Sequence, residues 1–401
     1  MRVSVGYSDN PDTALAGRLA VRNALEKSGQ GGPCDVMLLF ATARHEAAAL
    51  RAAVTAAVGR ELPIYGGGAV GAIANDTFGY AGDQVILAAI WLEETRLDFA
   101  RETGLAESEE ETGIRLGKKL RGLSVSPQSA ILLFYDAIFR TPEGVRLLMA
   151  TPLLRGIEQG LGFLPSMAGA GLQGDFVLSP SRQWAGDTII EHSALALKFS
   201  DDVRIDTTIM HGCRPATGYY TVTKADRQTI LEINHRPALA FLGELLGSAV
   251  PVESFPFFLI LGVNQGRKWG VFDEKSYASR LCLAIDKERS GLVMFEPDMV
   301  EGTEFQIMYR SLELDYMKPR IEQLFAGLGG RKPVFSMYIN CAGRAAGYGG
   351  IDMEDAAVVQ NIVADRVPLL GLYTGVEIAP VEGRPRGLDC TGVFCLFSMS
   401  T

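Results

Sequence analysis

Asn340, Cys341 and Arg344 stand where the apolar run Val334–Arg344 halts, and Tyr373 and Glu377 stand where a second run, Pro368–Ile378, halts. A guanidinium presents a planar fork suited to a carboxylate, and a side-chain carboxylate can hold an ammonium group. Arg344 and Glu377, joined by Arg214 upstream, would therefore suit an amino-acid-like ligand. Asn340 and Tyr373 would orient it through hydrogen bonds, with the Cys341 thiol beside them. The competing arrangement pairs Glu377 with one of the arginines as a structural ion pair.

Two other chemistries have candidate residues. A cysteine-dependent hydrolase would use Cys341, three residues from Arg344, or Cys213, two residues from His211 and on the same side of an extended strand. Haem would need an axial ligand from His45, His192, His211 or His235, of which His192 or His211 is best placed. No GxSxG elbow and no GxGxxG turn entering a helix is present, which excludes the serine-hydrolase and dinucleotide fingerprints. The six cysteines show no CxxC spacing, so neither a zinc site nor a disulfide framework is expected.

The elements that must position these residues read as alternating buried strands and helices. Val36–Ala41 and Ala130–Tyr135 are continuous apolar runs and Val334–Ile339 is apolar but for Ser336, as strands covered on both faces require. Each is followed by a helix-length interval, a glycine-bearing strand (Pro63–Ile73, Pro165–Gly171, Pro368–Gly375) and a further apolar strand. Ala81-Gly82-Asp83 and Ala185-Gly186-Asp187 sit at the same place in the first two copies. The pattern predicts an α/β fold of mixed sheets built from a repeated βαβ-plus-hairpin unit. The glycines at 66–68, 169 and 171 suit either ligand approach or close strand packing. Helices are expected over Glu102–Leu120, Glu143–Gly160 and Leu312–Leu328.

The chain has 401 residues, enough for two or three domains at about 150 residues each, and no low-complexity linker separates them. A net charge of -9 without a basic block argues against nucleic acid as a partner. The first residues lack the apolar core of a signal peptide, and no apolar run reaches the ~20 residues of a spanning helix. A cytoplasmic protein without direct membrane insertion is expected.

The chain resembles the FIST proteins, a bacterial sensory family with a FIST N-domain followed by a FIST C-domain. The resemblance rests on His211-Gly212-Cys213-Arg214-Pro215, on Thr221–Ala225 with Ile233, Pro237-Ala238-Leu239 and Leu246-Gly247, on Cys341-Ala342-Gly343-Arg344, and on Gly375–Pro380. It implies two closely packed domains, 1–220 and 221–401, and a protein that binds a small ligand, with amino acids or related metabolites the usual proposal. It also implies relay to a signalling partner such as a histidine kinase or a cyclase, since the chain holds no such segment itself. Some members resemble this chain yet carry haem and respond to nitric oxide. The chain departs from the family pattern at Val376 and at Arg386–Asp389, which bears on the ligand class.

Overall fold

The structure, a computed structural model, describes residues 1–29, 33–363 and 365–400. The repeated unit occurs three times. The first copy runs β1 (Arg2–Ser8), α1 (Thr13–Ser28), β2 (Val36–Ala41), α2 (Ala47–Val58), β3 (Ile64–Gly68), the hairpin β4 (Gly71–Ile73) and β5 (Phe78–Tyr80), then β6 (Val85–Trp91). The second runs β7 (Leu97–Thr103), α3 (Glu109–Gly122), β8 (Ile131–Asp136), a small hairpin β9 (Ile138–Thr141) and β10 (Gly144–Leu147), and α4 (Ala150–Leu161). It continues through β11 (Met167–Leu172), the hairpin β12 (Gln183–Gly186) and β13 (Thr188–Ile190), and β14 (Ser193–Phe199). The third opens with β15 (Val203–Met210) and is interrupted at once.

The interruption is a separate sheet: β16 (Cys213–Pro215), β17 (Tyr220–Asp226), β18 (Thr229–Ile233), β19 (Arg236–Pro237), α5 (Ala238–Leu246), β20 (Ile260–Asn264), β21 (Tyr277–Asp286), β22 (Gly291–Met294) and β23 (Glu304–Arg310). Its order β23-β17-β18-β22-β21-β20 closes through a β20–β23 pairing, making a barrel around Val222, Ile230, Phe255, Leu261, Leu292 and Phe305. Closure removes the free edges that a sheet of this size would otherwise leave. The third unit then resumes with α6 (Met317–Ala326), β24 (Lys332–Cys341), α7 (Ala346–Gly349), α8 (Asp355–Val363), β25 (Leu369–Thr374), the hairpin β26 (Val376–Val381) and β27 (Arg384–Leu388), and β28 (Gly392–Met399).

Each unit builds the same four-stranded core: β1-β6-β2-β3, β7-β14-β8-β11 and β15-β28-β24-β25. Each hairpin, however, joins another unit's sheet. β4–β5 extends β25, β12–β13 extends β3, and β26–β27 extends β11, so the three units exchange hairpins in a closed cycle. The sequence-based boundary at 220/221 falls at the start of β17, inside the inserted barrel, and two of the three large sheets draw strands from both sides of it.

The register confirms the repeat. Gly66 faces Leu39, Gly169 faces Leu133 and Gly371 faces Tyr338, each at the third pair of the parallel ladder. A Cβ on these glycines would come within 2.0, 1.7 and 2.6 Å of the facing carbonyl oxygen. Gly66 and Gly169 therefore serve close strand packing. The helix expected from Glu102 starts later, because Leu97–Thr103 pairs with β14 and Ser108 caps α3 by accepting from Glu111 N at 3.2 Å. Likewise Gly144–Leu147 is a strand before α4, and α6 occupies only the middle of Leu312–Leu328. Among the described residues, no helix is long and apolar enough to cross a membrane.

Candidate functional site

The fold does bring the C-terminal residues together. Asn340 and Cys341 end β24, Arg344 follows them, Tyr373 lies near the end of the parallel neighbour β25, and Glu377 is in β26. Their charges are consumed within the protein, however. Arg344 is fully buried and donates from both Nε (2.8 Å) and Nη2 to Asp355 Oδ2. Nε also shares its hydrogen with Asn340 Oδ1 (3.2 Å), and the remaining donors reach the carbonyls of His211 (2.8 Å) and Cys390 (3.3 Å) and the Tyr316 hydroxyl (3.0 Å).

The structural ion pair of Arg344 is thus with Asp355, a partner eleven residues on that the sequence reading did not single out. Glu377 accepts from Thr391 N at 3.2 Å, and burial pushes its carboxyl well above the usual range. Tyr373 donates to Glu354 at 2.9 Å. Arg214 lies apart, exposed on β16. None of the five surface cavities that stand out, 150 to 640 Å³ in volume, is lined by any of these six residues.

The hydrolase candidates are closed in as well. His211 donates from Nε2 to Glu274 O at 3.1 Å, so its Nδ1 is the acceptor, and that acceptor takes the backbone N–H of Cys213 at 2.9 Å. Burial holds the imidazole below its usual pKa against the pull of Glu274. No lone pair remains to draw a proton from Cys213, whose thiol lies 3.6 Å from the His211 carbonyl and is pushed up by burial. Burial also pushes the Cys341 thiol well up. Neither is a poised thiolate.

A more open arrangement sits at the carboxyl edge of the parallel pair β2–β3, where open α/β sheets place ligands. The cavity there is 530 Å³, within the usual range for small-molecule sites. Thr42–Ala47 and Gly68 supply the floor, and Pro180–Arg182, Trp184, Glu191 and His192 of the second unit supply a wall. Arg140, on β9, reaches in from the far side.

The loop after β2 is held rigidly. His45 Nε2 donates to Asp83 O at 2.9 Å, and its Nδ1 accepts from Thr13 Oγ1 at 3.0 Å. Ser181 Oγ accepts from Gly68 N at 2.8 Å, and Trp184 Nε1 donates to Ala47 O at 3.1 Å, pinning the borrowed hairpin to the first unit. Asp136 lies behind this floor, accepting from Gln183 Nε2 (3.1 Å) and Ser193 N (2.9 Å); burial pushes it up to about 7.

Charge in the cleft is unevenly paired. Arg182 Nε meets Glu191 at 2.6 Å, and Glu46 accepts from Ala48 N (2.9 Å) and Ala49 N (2.6 Å) at the start of α2, which holds its carboxyl below the usual range. Arg44 approaches Asp83 at 3.9 Å and the Ala81 carbonyl at 3.4 Å, and among the described residues Arg140 makes no ion pair. The cleft therefore offers two loosely held guanidinium groups beside two carboxylates that share Arg182, which lies 3.7 Å from Glu46 and 2.6 Å from Glu191. His192 also opens onto it, its ring edge-on to Phe139 at 4.8 Å. The charged walls do not suit the apolar faces of a porphyrin, and His211, the other candidate axial ligand, has both ring nitrogens engaged.

Residues 35–236 match the FIST N domain and residues 238–380 the FIST C domain. The chain belongs to the FIST family. This FIST protein is similar to two uncharacterized proteins of Mycobacterium tuberculosis, strains CDC 1551 / Oshkosh and ATCC 25618 / H37Rv. Each is 26% identical over 407 residues, covering 99% of this chain and 100% of the relative. An uncharacterized protein of Mycobacterium bovis (strain ATCC BAA-935 / AF2122/97) is 26% identical over 192 residues, 47% of this chain and 49% of its own. A crystal structure of cyanuric acid hydrolase from A. caulinodans aligns over 100% of this chain and 99% of that one, at 8% identity and a TM-score of 0.36, a likeness too slight to carry an argument. FIST domains are associated with sensing and signalling, and the FIST chain's α/β architecture accords with that assignment.

The sequence reading did not select Arg44, Glu46, Arg140, Arg182 or Glu191. Arg44 and Glu46 had a signal, since they follow directly where the apolar run of β2 stops. Arg140 and Arg182 had none, because only the packing of the second unit against the first, with β12 paired to β3, carries them to the first unit's edge.

Proposed function

We propose that this FIST protein is a sensor that binds a small carboxylate-bearing metabolite of the amino-acid class in the cleft over β2–β3. The observation that carries the reading is the pair of loosely held guanidinium groups, Arg44 and Arg140, facing Glu46 and Glu191 across one 530 Å³ cavity. A zwitterion places its carboxylate on the arginines and its ammonium near the glutamates. In all three units the helix after the first parallel strand receives a carboxylate from the protein itself: Glu46 at Ala48 N (2.9 Å) and Ala49 N (2.6 Å), Glu296 at Ala150 N (2.9 Å) and Thr151 N (2.8 Å), and Glu354 at Ala346 N (2.7 Å). What sets the first unit's edge apart is the cavity beside it.

The cleft is shared by two units, so a ligand that draws Arg140 towards the first unit changes how the units sit on each other. A ligand shifts such an equilibrium only by its differential affinity for the two arrangements, and the bridging arginine supplies that difference. Output passes to a separate signalling protein, a histidine kinase or a cyclase. The six unpaired thiols suit a reducing compartment, and we place the protein in the cytoplasm.

The test is a thermal-shift screen of amino acids and related carboxylates against the wild type, Arg44→Ala and Arg140→Ala. Binding to the folded state raises the melting temperature by mass action, so at least one compound class should give a concentration-dependent shift that both variants reduce. Absence of any shift, or shifts unchanged in both variants, would refute the assignment.

A further inference from the structure

The inserted barrel carries a hollow of its own, 640 Å³ in volume, between Tyr219, the segment following β20 and the start of β21. Four aromatic rings stand in its wall. Tyr219 and Trp269 meet edge to face with centroids 5.8 Å apart, and Phe272 tilts against Tyr277 at 5.3 Å. The floor is a completed chain of hydrogen bonds. Asn264 Nδ2 donates to the Tyr219 hydroxyl at 2.9 Å, which lies 3.4 Å from the Tyr277 hydroxyl; Tyr277 donates to Gln306 Oε1 at 2.7 Å, and Gln306 Nε2 donates to Thr217 O at 2.8 Å.

The rim is less settled than the floor. Trp269 is 85% exposed, an unusual position for the residue with the largest apolar surface. The Lys268 ammonium sits 5.0 Å from the Tyr219 ring centre and 5.3 Å from that of Trp269, and is held by Glu304 at 2.5 Å. Asp273 takes Arg320 at 3.2 Å, and Glu382 accepts from Ser276 Oγ at 2.5 Å. Arg267 is the cation of the lining that, among the described residues, has no carboxylate against it.

We propose that this hollow is a second ligand site, for a planar aromatic carboxylate. Its ring lies against the open Trp269 indole and the Phe272–Tyr277 pair, and its carboxylate meets Arg267 with Lys268 alongside. An aliphatic acid would satisfy Arg267 but leave the indole in water. An organic cation would face Arg267 and would contend with Lys268 for the point on which the Tyr219 and Trp269 rings converge. The site lies on the inserted barrel and uses none of the cleft's arginines, so it stands or falls separately from the sensor reading.

The protein's own tryptophans report on it. Trp91 and Trp184 are 8% and 3% exposed, so emission that iodide can quench in the full chain belongs to Trp269. Phenylacetate, which does not absorb where tryptophan is selectively excited, should protect that emission. Cyclohexylacetate, with the same charge and no π face, should protect it far less. Arg267→Ala should weaken phenylacetate binding about tenfold, as loss of a charged hydrogen bond implies, and Arg140→Ala should leave it unchanged. Three outcomes would overturn the proposal: unaltered quenching with phenylacetate, equal protection by cyclohexylacetate, or stronger protection by 2-phenylethylammonium. Loss of phenylacetate binding in Arg140→Ala would overturn it too, by assigning that ligand to the cleft.

Discussion

Arg344 and Asp355 form an ion pair with neither side chain exposed to solvent, closing the polar end of β24 from within. Removing Arg344 leaves Asp355 buried with only Arg310, 3.8 Å from its other oxygen, to offset its charge. Arg344→Leu should therefore destabilise the protein by about 3–5 kcal/mol, whereas Arg344→Leu combined with Asp355→Leu should cost much less. Urea unfolding of the three proteins decides it. A double variant no better than the single would mean that the other contacts of Arg344, to the His211 and Cys390 carbonyls, outweigh the ion pair.

Stability should fall as pH rises from about 4 to about 7. Burial pushes the Asp389 and Asp136 carboxyls up to about 7 in the folded protein, whereas an unfolded aspartate ionises near ~3.9. Across that window the folded chain keeps protons that the unfolded chain has released, so each group favours folding at low pH and loses that contribution as pH rises, levelling off above the folded pKa. Asp389→Asn keeps an acceptor for Leu281 N, 2.9 Å away, and puts an amide where the second carboxylate oxygen has no partner. Its unfolding midpoint should vary less between pH 4 and pH 7 than that of the wild type and should exceed it near pH 8. Parallel profiles would count against a raised Asp389.

Gly169→Ala should be among the most damaging single substitutions, since the added Cβ would lie 1.7 Å from the Leu133 carbonyl oxygen within a buried parallel ladder. A loss of about 3 kcal/mol or more is expected, read as a lowered denaturant midpoint or as insoluble expression. Gly122→Ala is the control. It ends α3 with nothing within 4 Å of its added Cβ and should be neutral or slightly stabilising.

All six thiols are buried. Ellman's reagent should label fewer than one per native chain on the timescale that labels all six in denaturant. Rapid labelling of Cys213 or Cys341 in the native protein would reopen the cysteine-hydrolase reading.

The sequence by itself determined the composition of the repeat and the family. Apolar runs such as Ala130–Tyr135 become strands buried on both faces wherever they are placed, and each glycine-bearing strand must let a neighbouring carbonyl approach. The convergence of Asn340, Cys341, Arg344 and Tyr373 at one strand edge was legible for the same reason, because apolar runs ending in polar residues mark the carboxyl ends of parallel strands.

What the polar cluster does was not legible. Whether Arg344 faces a ligand or Asp355 depends on how residues 345–355 fold back, and periodicity does not encode that. Only the tertiary structure decided that each hairpin joins another unit's sheet, since β12 pairs as well with β3 as it could have done within its own unit and the local pattern is the same. That exchange brings Arg182 to the edge of β2–β3, where Arg140 of the same unit's β9 also lies, and makes the cleft a joint property of two units. The physical reason is that strand pairing satisfies backbone groups without regard to which copy supplies them, so packing of the whole assembly selects the partner.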